Sequence, residues 1–157
     1  MRPSEWWIAA TFTRALREAD ARLLLDVRQR RGVRGSEYAW ANAVRLQATL
    51  AAERIEYRHL RELAPTTELR QTQYREDARR GVGKRSRVEL ASEYRRRYTR
   101  EILDTVDLAE IIDALPGDGA SVLLCVERDP EACHRSIIAE RITERYGLAV
   151  AHILPVR

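Results

Sequence analysis

Residues 125–135 gather the side chains of this chain that are best able to do chemistry. Both of its cysteines and one of its three histidines fall in the run, together with acidic and basic residues. Cys133 is a candidate nucleophile, because a thiol near the start of a helix and beside basic groups has a lowered pKa. His134 could transfer a proton, and Glu127 could act as a general base. The run therefore predicts a catalytic site at Cys133, His134 and Glu127.

Each of these side chains also has a structural interpretation. Free cysteines commonly pack as small apolar residues, which is an alternative for Cys133 and the favoured interpretation for Cys125. His134 could instead bond a backbone carbonyl and fix the turn. A metal site would need Cys125, Cys133 and His134 together with Glu127 or His152, but this spacing matches no recognised zinc motif. The spacing therefore predicts no metal site, and a metal–thiolate site stays a third hypothesis that stoichiometric zinc or iron in the purified protein would support. The sequence leaves the cofactor unknown.

Two arginines that follow different predicted strands are candidates for binding an anion. Arg28 comes directly after the apolar run 23–27, and Arg135 follows the cysteine and histidine pair. Paired guanidinium donors suit phosphate and carboxylate groups. We therefore predict that Asp26, Arg28 and Arg135 contribute to a site for a phosphorylated or nucleotide-like substrate. The alternative is that these arginines form internal salt bridges with Asp26 or Glu127.

The candidate residues lie where predicted strands end. The apolar run 122–126 predicts a buried strand, and Asp129 followed by Pro130 predicts the start of a helix. In parallel α/β sheets, ligands bind at the carboxyl ends of the strands. Both groups of candidates are therefore expected at one edge of a sheet.

The rest of the chain alternates between helical and strand patterns. Helices are expected over 5–20, 40–54 and 108–115, and strands over 23–27, 55–60, 122–126 and 149–154. The polar segment 66–101 predicts a helical excursion over the sheet, divided near Gly81 and Gly83, which could act as a lid. These patterns predict an α/β fold: one Rossmann-like domain over residues 1–157, with three layers and a mostly parallel sheet of about four strands.

Composition favours a globular protein of the cytoplasm. The 157 residues are 45% hydrophobic and 33% charged, and no apolar run approaches the ~20 residues that a membrane span requires. The amino terminus has no pattern of a signal peptide. We therefore expect a cytoplasmic protein with no membrane partner, in which the two cysteines are reduced.

Two kinds of macromolecular partner are suggested by the sequence. Residues 75–100 contain ten basic and four acidic side chains, and further arginines lie in 28–34. A second hypothesis is therefore a non-catalytic nucleic-acid-binding module that uses Arg95, Arg96 and Arg97. A solvated, salt-bridged surface is the alternative. Trp6, Trp7 and Ile8 near the amino terminus suggest a homodimer contact.

Taken together, these residues resemble a known family. Residues 124–135 are similar to the signature of the bacterial "domain of unknown function 488" family, Cys-x-Glu-x-x-Pro-x-x-Cys-His-Arg, and 26–28 resemble its Asp-Val-Arg hallmark. The resemblance covers nearly the whole chain and implies a Rossmann-like α/β domain, with no agreed activity. Members usually open with a strand that bears Thr-Ile-Gly, where this chain has Met-Arg-Pro. Either this branch lacks one edge of the pocket, or the assigned start lies too far downstream.

Overall fold

The chain folds as alternating helices and strands. The computed structural model describes residues 7–33, 35–83, 86–125, 127 and 129–153. Within these residues the order is α1 (Ala9–Glu18), β1 (Ala21–Asp26), α2 (Ala43–Ala52), β2 (Glu56–His59), α3 (Thr67–Arg80), α4 (Ser92–Tyr98), α5 (Leu108–Asp113), β3 (Ala120–Leu124) and α6 (His134–Tyr146). Short 3-10 turns occupy Ser36–Ala41, Arg61–Leu63 and Pro130–Ala132, and a π-helical turn, Thr99–Leu103, extends α4. The predicted α/β class is confirmed.

The strands form one parallel sheet in the order β2-β1-β3. Leu23 and Leu24 of the central strand are fully buried, as expected for a parallel strand that is covered on both faces. In the register, Asp26 lies opposite His59 on one side and Leu124 on the other. The carboxyl ends of all three strands therefore lie together, and the segments that follow them meet at one edge of the sheet.

The expected strand 149–154 is not formed. Residues 147–153 have no strand structure, and residue 154 lies outside the described residues. Helix α6 ends at Gly147 in the left-handed conformation, with φ 64°, which only glycine adopts without strain. Residues 148–152 are exposed, so this mostly apolar run does not correspond to a buried strand. The described sheet therefore has three strands instead of the expected four.

Helices cover both faces of the sheet. Phe12 and Leu16 of α1, with Leu46 and Leu50 of α2, pack on the face that carries Leu24. The opposite face is covered by α3, α4, α5 and α6. Successive residues of β1 point to opposite faces, which explains why its apolar run is continuous. The result is three layers with buried apolar side chains on both sides of the sheet.

The helical excursion is built as the sequence predicts. Helix α3 ends at Gly81, whose φ is 69°, and α4 follows after a short connection. Tyr94 and Tyr98 of α4 are buried in the core, and the Tyr98 hydroxyl donates to the carbonyl of Leu63 at 2.6 Å. The excursion is therefore held against the sheet by its own core residues.

Gly119, immediately before β3, is expected to tolerate no side chain. A Cβ atom there would lie 2.6 Å from the carbonyl oxygen of Asp20, so the backbone would have to move. Gly119→Ala is expected to lower the free energy of unfolding by about 1–3 kcal/mol. The control is Gly117→Ala, because a Cβ atom at Gly117 meets nothing within 4 Å. Urea unfolding measures both variants, and equal stabilities would contradict the prediction.

Candidate functional site

A tight turn after β3 brings two cysteines and a histidine together. Cys125 follows β3 directly, and the turn Pro130–Ala132 returns the chain so that Cys133 becomes the N-cap of α6. The sulfur atoms of Cys125 and Cys133 and a ring nitrogen of His134 all lie within 4.8 Å of one another. We call these three residues the Cys2His cluster. The helix predicted from Asp129 thus begins as a 3-10 turn, and α6 itself begins at His134.

His134 is held in one orientation by the backbone of β1. Its Nε2 lies 2.8 Å from the carbonyl oxygen of Val27, and the ring is buried. A carbonyl can only accept, so Nε2 carries the proton and Nδ1 carries a lone pair in the neutral ring. Nδ1 lies 3.6 Å from the Cys133 sulfur. The hydrogen bond to a backbone carbonyl, which the sequence suggests as the structural role of His134, is therefore present. It directs Nδ1 toward the thiol of Cys133.

Both thiols are buried, and one of them is held by an acid. Cys125 donates to Oε2 of Glu127 at 2.8 Å. Hydrogen bonding with Cys133 raises the pKa of Cys125 well above its usual value, with burial and the Glu127 charge acting in the same direction. These contacts therefore favour the protonated form of the Cys125 thiol. Its predicted role as a packed residue accounts for its burial but not for its polar contacts.

Asp26 and Arg28 form a buried salt bridge. Arg28 donates through Nε and Nη2 to the two carboxylate oxygens of Asp26, each at 2.8 Å, and through Nη1 to the Ala41 carbonyl at 2.8 Å. Tyr57 donates to Asp26 at 2.6 Å. Burial by itself would raise the pKa of Asp26, but the bonds from Arg28 and Tyr57 and the Arg28 charge lower it below its usual value. The internal salt bridge considered from the sequence is therefore present.

Arg87 connects the helical excursion to the turn after β3. It is buried, and it donates to Asp77 of α3 at 2.7 Å and to the Ala132 carbonyl at 3.2 Å. Its Nη2 also lies 3.7 Å from Oε1 of Glu127. Arg87 is not predicted as a site residue, because nothing in the sequence distinguishes it from the other nine basic side chains of 75–100.

A cavity of about 370 Å³ opens in front of the Cys2His cluster. We call it the Cys133 cavity. Its rim carries Arg30 and Arg70, neither of which has an acidic partner among the described residues. Arg70 instead donates to Gln29 at 2.7 Å and to Tyr74 at 2.8 Å. Other side chains that line the cavity are Arg28, Arg87, Glu127, Tyr38, Tyr74 and Tyr94.

Arg28 and Arg135, expected to share one anion, do not line the same cavity. Arg28 lines the Cys133 cavity, whereas Arg135 lines a larger apolar groove beside β3 and α6. Arg135 donates to the carbonyl of Glu127 at 2.6 Å. His152, considered as a metal ligand, also lines that groove and not the Cys133 cavity. The structure thus brings Cys133, His134, Glu127 and Arg28 together, and it places Arg135 on the other side of the turn.

The arginines proposed for nucleic-acid binding are largely engaged in ion pairs. Arg95 contacts Glu140 at 2.8 Å, and Arg97 contacts Glu101 at 2.8 Å and Glu68 at 2.9 Å. Arg96 is exposed. Arg95 and Arg97 therefore belong to a salt-bridged surface, which is the alternative that the sequence suggests. Nucleic-acid binding stays a prediction.

The aromatic residues proposed for a dimer contact are partly used within the chain. Trp7 packs edge-on against Phe12 at 5.8 Å between ring centroids, and its carbonyl accepts from Trp40 at 3.2 Å. Ile8 is 49% exposed, and Trp6 lies outside the described residues. In the part of the chain that the structure describes, every helix is too short or too polar to cross a bilayer.

The chain is similar to a known protein family. No curated protein and no solved structure matches the chain. The model of one family, described as domain of unknown function DUF488, matches residues 8–142. The matched range includes all three strands, the buried Asp26 and Arg28 pair and the Cys2His cluster. The resemblance drawn from the Cys-His-Arg run is therefore confirmed, and the chain belongs to the DUF488 family.

Proposed function

We propose that this chain is an enzyme that binds a small phosphorylated or nucleotide-like anion in the Cys133 cavity. The observation that carries the proposal is that a single cavity is lined both by the Cys2His cluster and by Arg30 and Arg70. Its volume is within the range of small-ligand sites. A Rossmann-like arrangement, expected from the family, supports the same location, because ligands bind such sheets at the carboxyl ends of the strands.

The charges around the cavity favour an anion. Arg28 is neutralised by Asp26, and Arg87 lies between Asp77 and Glu127, the acid that also lines the cavity. Arg30 and Arg70 have no acidic partner among the described residues, so they give the rim an excess of positive charge. Guanidinium groups that face a concave, partly dehydrated surface attract and orient phosphate groups. We therefore assign anion binding to Arg30 and Arg70, and we assign to Arg28 the positioning of the loop.

The inner wall of the cavity can supply a thiolate. The lone pair of His134 Nδ1, 3.6 Å from the Cys133 sulfur, can accept the thiol proton. The resulting thiolate lies at the N-terminus of the 13-residue helix α6, whose dipole stabilises negative charge. Glu127, near Arg87, is a further proton acceptor beside Cys125. The reacting part of the substrate is thus expected at Cys133, and its anionic part at the arginine rim.

Arg70→Gln is expected to weaken binding of the anion. Thermal denaturation with orthophosphate, pyrophosphate, nucleoside phosphates and sugar phosphates should reveal a stabilising ligand. A ligand at about one hundred times its Kd stabilises the fold by about 2.7 kcal/mol. Loss of a charge-assisted bond costs about 1.5–3 kcal/mol, so the Kd in Arg70→Gln should rise roughly tenfold or more.

Arg96→Gln is the matched control, because Arg96 is exposed on α4 and does not line the cavity. This variant should bind the small anion as the wild type does. The proposal is wrong if no small anion stabilises the wild type, or if both variants lose affinity equally. Stabilisation by oligonucleotides only, weakened by Arg96→Gln, would support the nucleic-acid hypothesis instead.

A further inference from the structure

We propose that Cys125, Cys133 and His134 together bind a zinc ion whose fourth coordination position opens into the Cys133 cavity. The spacing of these residues in the sequence predicts no metal site, but the fold brings two sulfur atoms and one ring nitrogen within 4.8 Å of one another. This inference goes beyond the proposed function, because zinc binding does not require that an anion enter the cavity. In the zinc-bound chain, Cys133 and Nδ1 of His134 would be metal ligands in place of nucleophile and proton acceptor, and the reacting group would occupy the fourth coordination position.

The separation of the ligand atoms suits tetrahedral zinc. Zinc–sulfur bonds of about 2.3 Å and zinc–nitrogen bonds of about 2.0–2.1 Å place neighbouring sulfur and nitrogen ligands about 3.6 Å apart at the tetrahedral angle. The Cys133 sulfur lies 3.6 Å from Nδ1 of His134. These two ligands therefore need little movement to bind one ion.

The histidine has the outer contact that zinc-binding histidines usually have. Such a ring donates its second N–H to a carbonyl or carboxylate, which fixes the tautomer and directs the free lone pair at the metal. In this chain the Val27 carbonyl accepts from Nε2 at 2.8 Å. His59 makes the same kind of bond to the neighbouring Arg28 carbonyl, at 2.9 Å, but it is not part of the Cys2His cluster. The chain thus contains a second histidine in a matched setting.

The charge of the bound state fits a buried site. Two thiolates and one neutral imidazole offset the charge of one divalent zinc ion, so the filled site is neutral. All three residues are buried, where an unbalanced charge is costly. Binding forms two Zn–S bonds and one Zn–N bond, and the two thiol protons leave to solvent. Glu127, which accepts from Cys125 at 2.8 Å, is the first acceptor for one of them.

The cavity provides an entry path and the open position. Cys125, Cys133 and His134 all line the Cys133 cavity, so the three ligands of the proposed site border one open space. Three protein ligands with an open fourth position are the arrangement of catalytic zinc sites, in which water or substrate completes the coordination. Zinc would there lower the pKa of a bound water or polarise a substrate oxygen.

The test compares His134→Gln with His59→Gln in the full chain. Glutamine keeps an N–H donor near the position of Nε2 but removes the Nδ1 lone pair, so each variant retains a donor for its carbonyl. The zinc content of proteins purified without chelator is measured, and Co²⁺ is then titrated into metal-free protein. The wild type and His59→Gln should contain one zinc per chain and show a thiolate-to-cobalt charge-transfer band.

In His134→Gln and Cys133→Ser, the affinity for Co²⁺ should fall at least about 100-fold, the upper end of what loss of an outer contact costs. Circular dichroism checks that each variant is folded. If a variant does not fold, the test is made on the wild type alone. Alkylation of Cys125 and Cys133 should then be slower in the zinc-bound wild type than in the metal-free wild type. Three results would overturn the inference. The first is a wild type without zinc and without the charge-transfer band, and the second is a Cys125–Cys133 disulfide that persists in reducing buffer. The third is a loss of metal in His59→Gln equal to that in His134→Gln.

The proposed function can fail separately. If zinc binds and no small anion stabilises the protein, the metal site stands and the anion proposal does not. If an anion binds equally well to protein that binds neither zinc nor cobalt, the anion proposal stands and the metal site does not.

Discussion

Asp26→Asn is expected to lower the free energy of unfolding by about 3–5 kcal/mol, the cost of removing one partner from a buried ion pair. Asp26 is fully buried, and Arg28 is 3% exposed. Asparagine has one acceptor oxygen where the carboxylate has two, and it carries no charge. The guanidinium of Arg28 would then be buried without a counter-charge. Chemical denaturation of the two proteins at neutral pH measures the difference.

Asp118→Asn is the control, since Asp118 is an exposed acid whose nearest cation, Arg22, lies at 4.0 Å. Its stability should be nearly unchanged, because exposed ion pairs contribute little. The double variant Asp26→Asn with Arg28→Met should recover part of the loss, because no unpaired charge then remains. A single variant as stable as the wild type would show that the buried pair does not hold the loop.

The same pair should make the wild type sensitive to acid. The pKa of Asp26 is lower in the folded protein than its usual value, so the folded state binds this proton more weakly than the unfolded state does. Its stabilising contribution is present above the unfolded pKa of about 3.9 and is lost as the pH falls through the folded-state pKa. Below about pH 4, the stability difference between wild type and Asp26→Asn should therefore shrink. A difference that is constant with pH would contradict this assignment.

Arg87→Met is expected to lower the free energy of unfolding by about 3 kcal/mol. The substitution leaves Asp77 buried without its cation, although Gln73 still donates to that carboxylate at 2.8 Å. It also removes the donor to the Ala132 carbonyl, which lies next to Cys133. We therefore expect faster alkylation of Cys133 as well as lower stability. Denaturation and thiol alkylation followed by mass spectrometry measure the two effects.

Arg79→Met is the matched control for Arg87→Met. Arg79 contacts Glu76 at 2.6 Å, but its side chain is 71% exposed to solvent. Neither stability nor thiol reactivity should change measurably in this variant, because solvent screens the pair. If both variants behave alike, Arg87 does not connect the excursion to the turn.

Much of the fold could be predicted because apolar periodicity reports burial. The run that contains Leu23 and Leu24 is continuous because both faces of β1 are covered. The same reasoning failed at 149–153, where a mostly apolar run follows α6 and residues 149–152 lie exposed. A short apolar run is compatible with a strand, but it does not show that a neighbouring strand offers hydrogen bonds. Pairing is a tertiary property, and so the number of strands was overestimated.

The candidate site could be located from the sequence, but its internal contacts could not. The cluster of Cys125, Cys133 and His134 depends on how the turn Pro130–Ala132 redirects the chain, which the spacing of the residues does not specify. Arg28 and Arg135 were expected to converge because both follow strands, yet their side chains point into different cavities. The position of a residue at the end of a strand determines the edge of the sheet at which the residue lies. The direction of its side chain is determined by packing. Arg70 escaped notice for the same reason, whereas Arg30 was named only as one of the arginines of segment 28–34.

The anchoring of the excursion has a consequence for how ligands exchange. At the end of α4, the Tyr98 hydroxyl donates a hydrogen bond to the Leu63 carbonyl. In the segment that precedes α4, Arg87 donates to the Ala132 carbonyl and to the Asp77 carboxylate. Lifting α4 as a lid would break these buried contacts at once, so we expect the wall of the Cys133 cavity to be preorganised. A ligand would then enter past Arg30 and Arg70, and little conformational entropy would be lost on binding. Association should accordingly be limited by diffusion and charge, with a rate that falls as salt is added.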